Sequence, residues 1–322
     1  MTIQVPDPIL EFDMNTIRSL TGSVVALATP FQDRSVDIDV LASLCERQIV
    51  RGTRALVVCG STGEASSLSM AEYSCAVRTV VEASQGRVPV IAGCSAMATD
   101  VAAELAATAA AAGANGLLCA PPAYVKPTQE GIFAHVRAVA HTADLPVMLY
   151  DVPGRTGVAV ADETVARLFE RSLIVAIKDA TADLSRPPRL RALCGDALVQ
   201  MSGDDATAPA YRAMGGQGCV SVTANLMPAL CASLHRAWET GALARFASLR
   251  DLLAPLNQAL FLESNPVPLK AALAMLRLCG PDVRLPLIRA SRPTRERLAE
   301  ILFEIAGAED AIATKPRLVV RH

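Results

Sequence analysis

The sequence predicts an α/β protein, a (β/α)8 TIM barrel with a C-terminal helical subdomain. Three observations predict it. Eight short apolar runs recur up to residue 225, amphipathic segments separate most of them, and every run places an apolar body ahead of a polar or glycine-rich tip. The runs are 24–30, 55–60, 88–94, 116–122, 146–153, 174–181, 198–205 and 218–225. Near-continuous Val, Ile and Leu over such lengths suits parallel strands buried on both faces. Strict strand–helix alternation, eight times over, closes such a sheet into a barrel. A doubly wound open sheet is the competing architecture. It calls for a glycine fingerprint after the first strand, and Ala28-Thr29-Pro30-Phe31-Gln32 is not one.

Helix signals fall between the runs. One segment spans 70–84 and stops before Gly86, a second spans 99–112 with Gly113 beyond it, and a third spans 162–170. The barrel pattern ends near Gly241. Helical segments over 242–262, 266–278 and 293–305 follow without a flexible linker. The expected organisation is an N-terminal extension (1–20), a catalytic barrel (21–241), and a C-terminal helical subdomain with its tail (242–322).

Composition narrows the class. The 322 residues are 52% hydrophobic and 19% charged, with a mean hydropathy of +0.34, so a substantial core is expected and general disorder is not. A formal net charge of −2 without a long basic run argues against a nucleic-acid partner. The alanine-rich stretch 102–112 is broken by Glu104 and ends at Gly113, which reads as a buried helix and not a membrane span. Residues 1–20 carry Asp7, Glu11 and Asp13 without a basic start or an apolar segment, so no secretory signal is expected. The nine cysteines are scattered, with no C-x-x-C pair; Cys59, Cys94, Cys119 and Cys219 lie inside apolar runs, and a reducing cytoplasm fits best. His135, His141, His235 and His322 fall on helical segments or the tail, so no metal set and no Ser-His-Asp arrangement is expected.

In a (β/α)8 barrel the C-terminal ends of the strands build the active face. The tips here gather Thr29, the Gly60-Ser61-Thr62-Gly63-Glu64 loop, Ser95, Tyr124, Tyr150 with Arg155, Lys178-Asp179-Ala180-Thr181, Ser202-Gly203-Asp204-Asp205 and Ser221 to Asn225. Lys178 is the most telling of these. It ends the apolar run Ile174-Val175-Ala176-Ile177, where a charged amine is expensive to desolvate unless it has a partner, sheds its proton or is needed for chemistry. A neutral lysine in an apolar pocket attacks carbonyl carbon. A structural role, with the amine reaching solvent or the adjacent Asp179, stays open at this point.

The other motifs carry paired readings as well. The Gly60–Glu64 loop offers a tight turn whose N–H groups and hydroxyls suit an anion, a carboxylate more than a phosphate because no lysine follows it; an ordinary strand-to-helix turn is the alternative. Met214-Gly215-Gly216-Gln217-Gly218 precedes the eighth strand and therefore belongs to the opposite face, where packing is its expected task. Tyr150 can shuttle a proton and Arg155 can clamp a carboxylate, or they serve as a core tyrosine and a surface arginine. Asp204-Asp205 suits hydrogen bonding across the barrel mouth better than a cation site or acid–base work.

Together these motifs resemble one family. The Gly60–Glu64 loop, Tyr150-x-Val152-Pro153-x-Arg155-Thr156-Gly157, Ile177-Lys178-Asp179-Ala180-Thr181, Ser202-Gly203-Asp204-Asp205, the 218–225 run and Glu263-x-Asn265-Pro266-x-Pro268-x-Lys270 are similar, in order and spacing, to the dihydrodipicolinate synthase/N-acetylneuraminate lyase family. The resemblance spans roughly residues 21–302. It implies that Lys178 forms a Schiff base with pyruvate. Tyr150 would relay protons with Ser61 and Tyr124, the latter reaching across a tight dimer interface of a homotetramer. Thr62 and Ser61 would hold the pyruvate carboxylate, Val220 would turn its backbone carbonyl to the site, and Gly203 would line it. Arg155 matches the synthase branch, where the arginine grips the carboxylate of L-aspartate 4-semialdehyde. No cofactor and no metal are implied, because the protonated imine is the electron sink. The alternatives are a paralogue acting on pyruvate with another aldehyde, a 2-keto-3-deoxy sugar acid or N-acetylneuraminate, and a non-catalytic pyruvate-binding paralogue.

Two departures from the family pattern matter. Asp151 stands where asparagine is usual, an exchange expected to alter the loop without removing a catalytic group. Tyr73, Met97, Val101 and Ala123 occupy the positions of the lysine feedback site. An apolar wall cannot satisfy an ammonium and a carboxylate, so lysine inhibition is expected to be weak or absent.

Overall fold

The computed structural model describes Ile17 and residues 20–313. Its eight parallel strands are β1 (Gly22–Ala26), β2 (Ala55–Val58), β3 (Val90–Gly93), β4 (Gly116–Cys119), β5 (Val147–Asp151), β6 (Ala176–Asp179), β7 (Val199–Ser202) and β8 (Gly218–Ser221), and they form a closed barrel. Each strand pairs with the next, and β8 returns to β1 through Gly22↔Gly218 and Val24↔Val220. Every expected run thus carries one strand, occupying the apolar body. Tyr150-Asp151, Lys178-Asp179, Ser202 and Ser221 of the polar tips end their strands, and the rest of each tip forms the loop after it. A right-handed crossover between parallel strands needs a helix-length connection, which is what the intervening sequence supplies.

Those connections are α1 (Ile38–Val50), α2 (Met70–Ser84), α3 (Thr99–Ala111), α4 (Gln129–Thr142), α5 (Asp162–Glu170), α6 (Arg186–Cys194) and α7 (Ala208–Ala213), and α8 (Pro228–Glu239) follows β8. The three signalled helices are α2, α3 and α5. The starts of α1 and α4 lie at two N-caps: Asp37 accepts the Val40 N–H at 3.0 Å, and Thr128 accepts the Gly131 N–H at 3.2 Å. His135 and His141 lie on α4 and His235 on α8, as expected; His322 is outside the described residues.

Alternation along the strands divides the apolar residues into two cores. Val24, Val57, Ile91, Leu118, Met148, Val199 and Val220 fill the barrel, whereas Val25, Leu56, Val90, Leu117, Leu149 and Ile177 pack beneath the helices. Ile17 and Leu20 belong to the inner core, and a Cβ on Gly116 would collide with Ile17, which places Ile17 under the N-terminal end of β4. The glycines before β8 also pack on this end: a side chain on Gly216 would strike the Tyr211 ring, and one on Gly218 the backbone of Gly22.

Three further helices follow, α9 (Leu243–Ala259), α10 (Val267–Met275) and α11 (Arg292–Ala313). The last runs to Ala313, well past the expected end at 305, and Gly307 does not stop it. The reason is tertiary. Glu309 accepts the N–H groups of Ala229 and Leu230 at the start of α8, at 3.0 and 2.9 Å, and pairs with Arg51 at 2.8 Å. A carboxylate at a helix N-terminus satisfies donors that have no partner within the helix. Among the described residues no helix is long and apolar enough to cross a membrane.

Candidate active site

Lys178 lies in β6 in register with Tyr150 of β5 and Met201 of β7. Two-residue periodicity turns Tyr150 and Lys178 into the barrel and their followers, Asp151 and Asp179, outward. Lys178 is 5% exposed, and its Nζ stands 4.2 Å from the centroid of the Tyr150 ring. The residue just past β7 shapes the pocket through an absence of side chain. A Cβ on Gly203 would meet Lys178 Cε at 3.1 Å and Ala180 Cβ at 2.8 Å, so glycine is what leaves room for the lysine stem.

The open question about Asp179 is answered by its bonds. Its Oδ1 accepts the Thr181 N–H at 2.9 Å and the Thr181 hydroxyl at 2.7 Å, and it approaches Arg186 at 3.5 Å. Its Oδ2 accepts the Tyr211 hydroxyl at 3.4 Å. Asp179 therefore serves the outer face, and among the described residues no carboxylate forms an ion pair with Lys178. Burial, with Asp179 adding to it, pushes the Tyr211 phenol well above its usual range.

The loop after β2 closes the next side. Gly63 and Glu64 donate their N–H groups within the turn, to Gly60 at 3.1 Å and Ser61 at 3.2 Å, so an incoming anion is left to Ser61 and Thr62. Thr62 is buried, and its Oγ1 accepts the Asn265 Nδ2–H at 2.9 Å. The Asn265 carbonyl in turn accepts from Arg155 Nη2 at 3.0 Å. Asn265, to which sequence reading gave no role, thus joins the β2 tip, the β5 tip and the C-terminal helices. Glu64 leaves the loop with φ +53° and forms a buried pair with Lys270, 2.6 Å, while accepting the Arg284 N–H at 2.8 Å. This carboxylate anchors the loop.

The tips of β7 and β8 are joined by Asp205, which accepts the Ser221 hydroxyl, the Val222 N–H at 2.7 Å and the Thr223 N–H at 3.1 Å. This is the expected hydrogen bonding across the mouth. Burial raises the Asp205 carboxyl, against the pull of those donors. Val220 is fully buried in the inner core. Tyr124 is the residue that one chain does not bring in: it is 88% exposed and lies outside the buried cluster. Asp151 is fully buried and faces Arg186, a partner that sequence reading missed. The signal was present, because a carboxylate ending the strand Val147-Met148-Leu149-Tyr150 demands a buried cation.

A closed parallel barrel with a buried amine at a strand tip, free of any carboxylate partner, is an arrangement that suits Schiff-base chemistry. Comparison with known proteins makes the assignment particular. The model of the dihydrodipicolinate synthetase family matches residues 19–305. The 4-hydroxy-tetrahydrodipicolinate synthase of Hyphomonas neptunium is 47% identical over 288 residues, covering 89% of this chain and 98% of that protein. The structure of dihydrodipicolinate synthase from Aquifex aeolicus superposes with a TM-score of 0.87 at 36% identity, covering 89% of this chain and 98% of that one. That of the Acinetobacter baumannii synthase complexed with pyruvate gives 0.86 at 38% identity, covering 91% and 100%. The chain belongs to the dihydrodipicolinate synthetase family.

Proposed function

We infer that this protein condenses pyruvate with L-aspartate 4-semialdehyde to give 4-hydroxy-tetrahydrodipicolinate, with Lys178 as the nucleophile. The observation that carries the reading is the Lys178 amine, buried over the Tyr150 ring with no carboxylate to hold it. Its lone pair adds to the pyruvate ketone, and loss of water leaves a protonated imine. The imine draws electrons from the methyl group, which gives up a proton and becomes an enamine carbon. That carbon attacks the aldehyde, and the resulting alkoxide takes a proton. The amine of the second substrate then displaces Lys178 and closes the ring.

Tyr150, Ser61 and Tyr124 move the protons in this scheme. Ser61 and Thr62, the groups the turn leaves free, receive the pyruvate carboxylate, with the Val220 carbonyl opposite and Gly203 opening the space. Arg155 receives the carboxylate of the semialdehyde; its bond to the Asn265 carbonyl holds one face of the guanidinium and leaves donors over. Tyr124 acts in the neighbouring subunit of a homotetramer built as a dimer of dimers. Its exposure, with that of the adjoining Val125 at 59%, supports an apolar contact there. The division into barrel (21–241) and C-terminal subdomain (242–322), and a cytoplasmic location, complete the reading. The test is chemical trapping: with pyruvate and borohydride, the protein should gain one reduced adduct, on Lys178. An adduct on another residue, or none, rejects the mechanism.

A further inference from the structure

Lys178 is held to Tyr150 by no hydrogen bond or ion pair among the described residues, only by the contact of its amine with the ring face. Their separation is therefore set by how β5 and β6 lie against each other. The two residues that follow, Asp151 and Asp179, are also partners in register and point out of the barrel, both buried. Two carboxylates side by side behind a catalytic pair would push their strands apart unless a cation joined them.

That cation is Arg186, the first residue of α6 and itself 3% exposed. Its Nη1 donates to Asp151 Oδ2 at 2.6 Å and stands 3.5 Å from Asp179 Oδ1. Its Nε donates to Asp162 Oδ1 at 2.8 Å, and its Nη2 to the Val160 carbonyl at 2.7 Å. Asp151 Oδ2 also accepts the Val160 N–H at 3.1 Å. One rigid fork thus ties the back of β5, the back of β6 and the entry to α5. Burial opposes the charge on Arg186, but Asp179 and Asp151 overcome it and raise its pKa.

We propose that Arg186 is a positioning residue, which clamps Asp151 to Asp179 from outside the barrel and thereby holds Tyr150 and Lys178 at reacting distance. The proposal rests on the assignment of Lys178 as nucleophile. It also explains the departure at position 151. A carboxylate there makes the clamp ionic, so this chain depends on Arg186 more than one with a neutral amide would. Lysine cannot replace it, because a point charge cannot span acceptors on three segments.

The experiment follows kcat, the KM for pyruvate and the rate of borohydride-trapped adduct in the full-length protein, with folding checked by circular dichroism. Arg186→Met is expected to lower kcat and the trapping rate together, by about tenfold to a hundredfold, the cost of a small misplacement of reacting groups. The KM for pyruvate should move by less than about twofold, because the Ser61–Thr62 side is untouched. Arg186→Met/Asp151→Asn should regain most of the lost kcat by removing one of the opposed charges, whereas Asp151→Asn alone, which keeps Arg186 on Asp179 and Asp162, should lower kcat by less than Arg186→Met does. Arg186→Lys should fall between parent and Arg186→Met, and it carries the same test if Arg186→Met does not fold. A folded Arg186 variant with unchanged kcat and trapping rate overturns the proposal, as does a double variant no better than the single one. Absence of adduct in the unaltered protein overturns the Lys178 assignment and this proposal together, whereas normal trapping throughout overturns only the clamp.

Discussion

Lys178 and Lys270 are the two buried lysines among the described residues of a chain that has only four, and each amine lies over an aromatic ring. The distances are 4.2 Å from Tyr150 for Lys178 and 3.9 Å from Phe31 for Lys270. From there their surroundings diverge. Lys270 pairs with Glu64 at 2.6 Å and donates to the Asp282 carbonyl at 2.7 Å. Burial pulls its pKa down while Glu64 pushes it back up. Lys178 has the ring and no carboxylate, although Asp179 is its neighbour in sequence. A buried lysine is thus not in itself a mark of chemistry. The partner decides, and at Lys178 the available carboxylates have been turned to the other side of the strand.

The contrast can be broken most directly at the two lysines. Lys178→Ala should remove the trapped pyruvate adduct and at least about a thousandfold of turnover, yet leave the melting temperature equal or higher, because no buried pair is lost. A Lys178→Ala protein that still turned over would end the comparison. Lys270→Met should do the reverse, costing about 3–5 kcal/mol of stability by stranding Glu64 in the core. Denaturant unfolding of Lys270→Met/Glu64→Gln should recover part of that loss. If the double variant is no more stable than the single one, the pair is not what Lys270 contributes.

A third buried base sharpens the point. Burial, and then Arg212, push His235 down to about 3, and its Nδ1 has no hydrogen-bond partner. In the unfolded chain a histidine titrates near 6.5. Below that pH the unfolded state takes up a proton that the folded state refuses, so this contribution is complete above about pH 6.5 and is lost as pH falls toward 3. The slope is about 1.4 kcal/mol per pH unit, or about 2 kcal/mol between pH 6.5 and 5. His235→Gln should show a shallower loss over that window; identical pH profiles would mean that other groups carry it.

The smallest effect is expected from free lysine. An ammonium needs the kind of partner that Lys270 has, and the wall at Met97 and Val101 is apolar and exposed, while Tyr73 has withdrawn into the core at 1% exposure. Activity should be unchanged by submillimolar lysine. A clear inhibition curve would show that the ligand finds polar groups elsewhere.

Much of this was legible in the chain. Eight apolar bodies with polar tips have only a few ways to bury both faces, and alternation with helices selects the barrel. Local chemistry likewise marked Lys178, Tyr150 and the Ser61-Thr62 loop. The N-caps at Asp37 and Thr128 were readable as well, but α1 and α4 were not located, because the apolar runs carry the stronger signal. The long-range partners were not legible. Thr62 and Asn265 are 203 residues apart, Arg155 and Asn265 are 110 apart, and Arg186 meets Asp151 across 35. No local pattern announces which buried donor will face which acceptor.

By itself, then, the sequence determined the order of strands and helices, the face on which the polar tips collect and the amine among them, since apolar periodicity and turn residues act over a few positions. Only the tertiary structure decided the partners: Asp179 bound outward to Arg186, Glu64 bound to Lys270, and Lys178 left without a carboxylate. The physical reason is that a buried charge is settled by what lies within a few ångströms of it, and closing the barrel brings together groups that the chain keeps far apart.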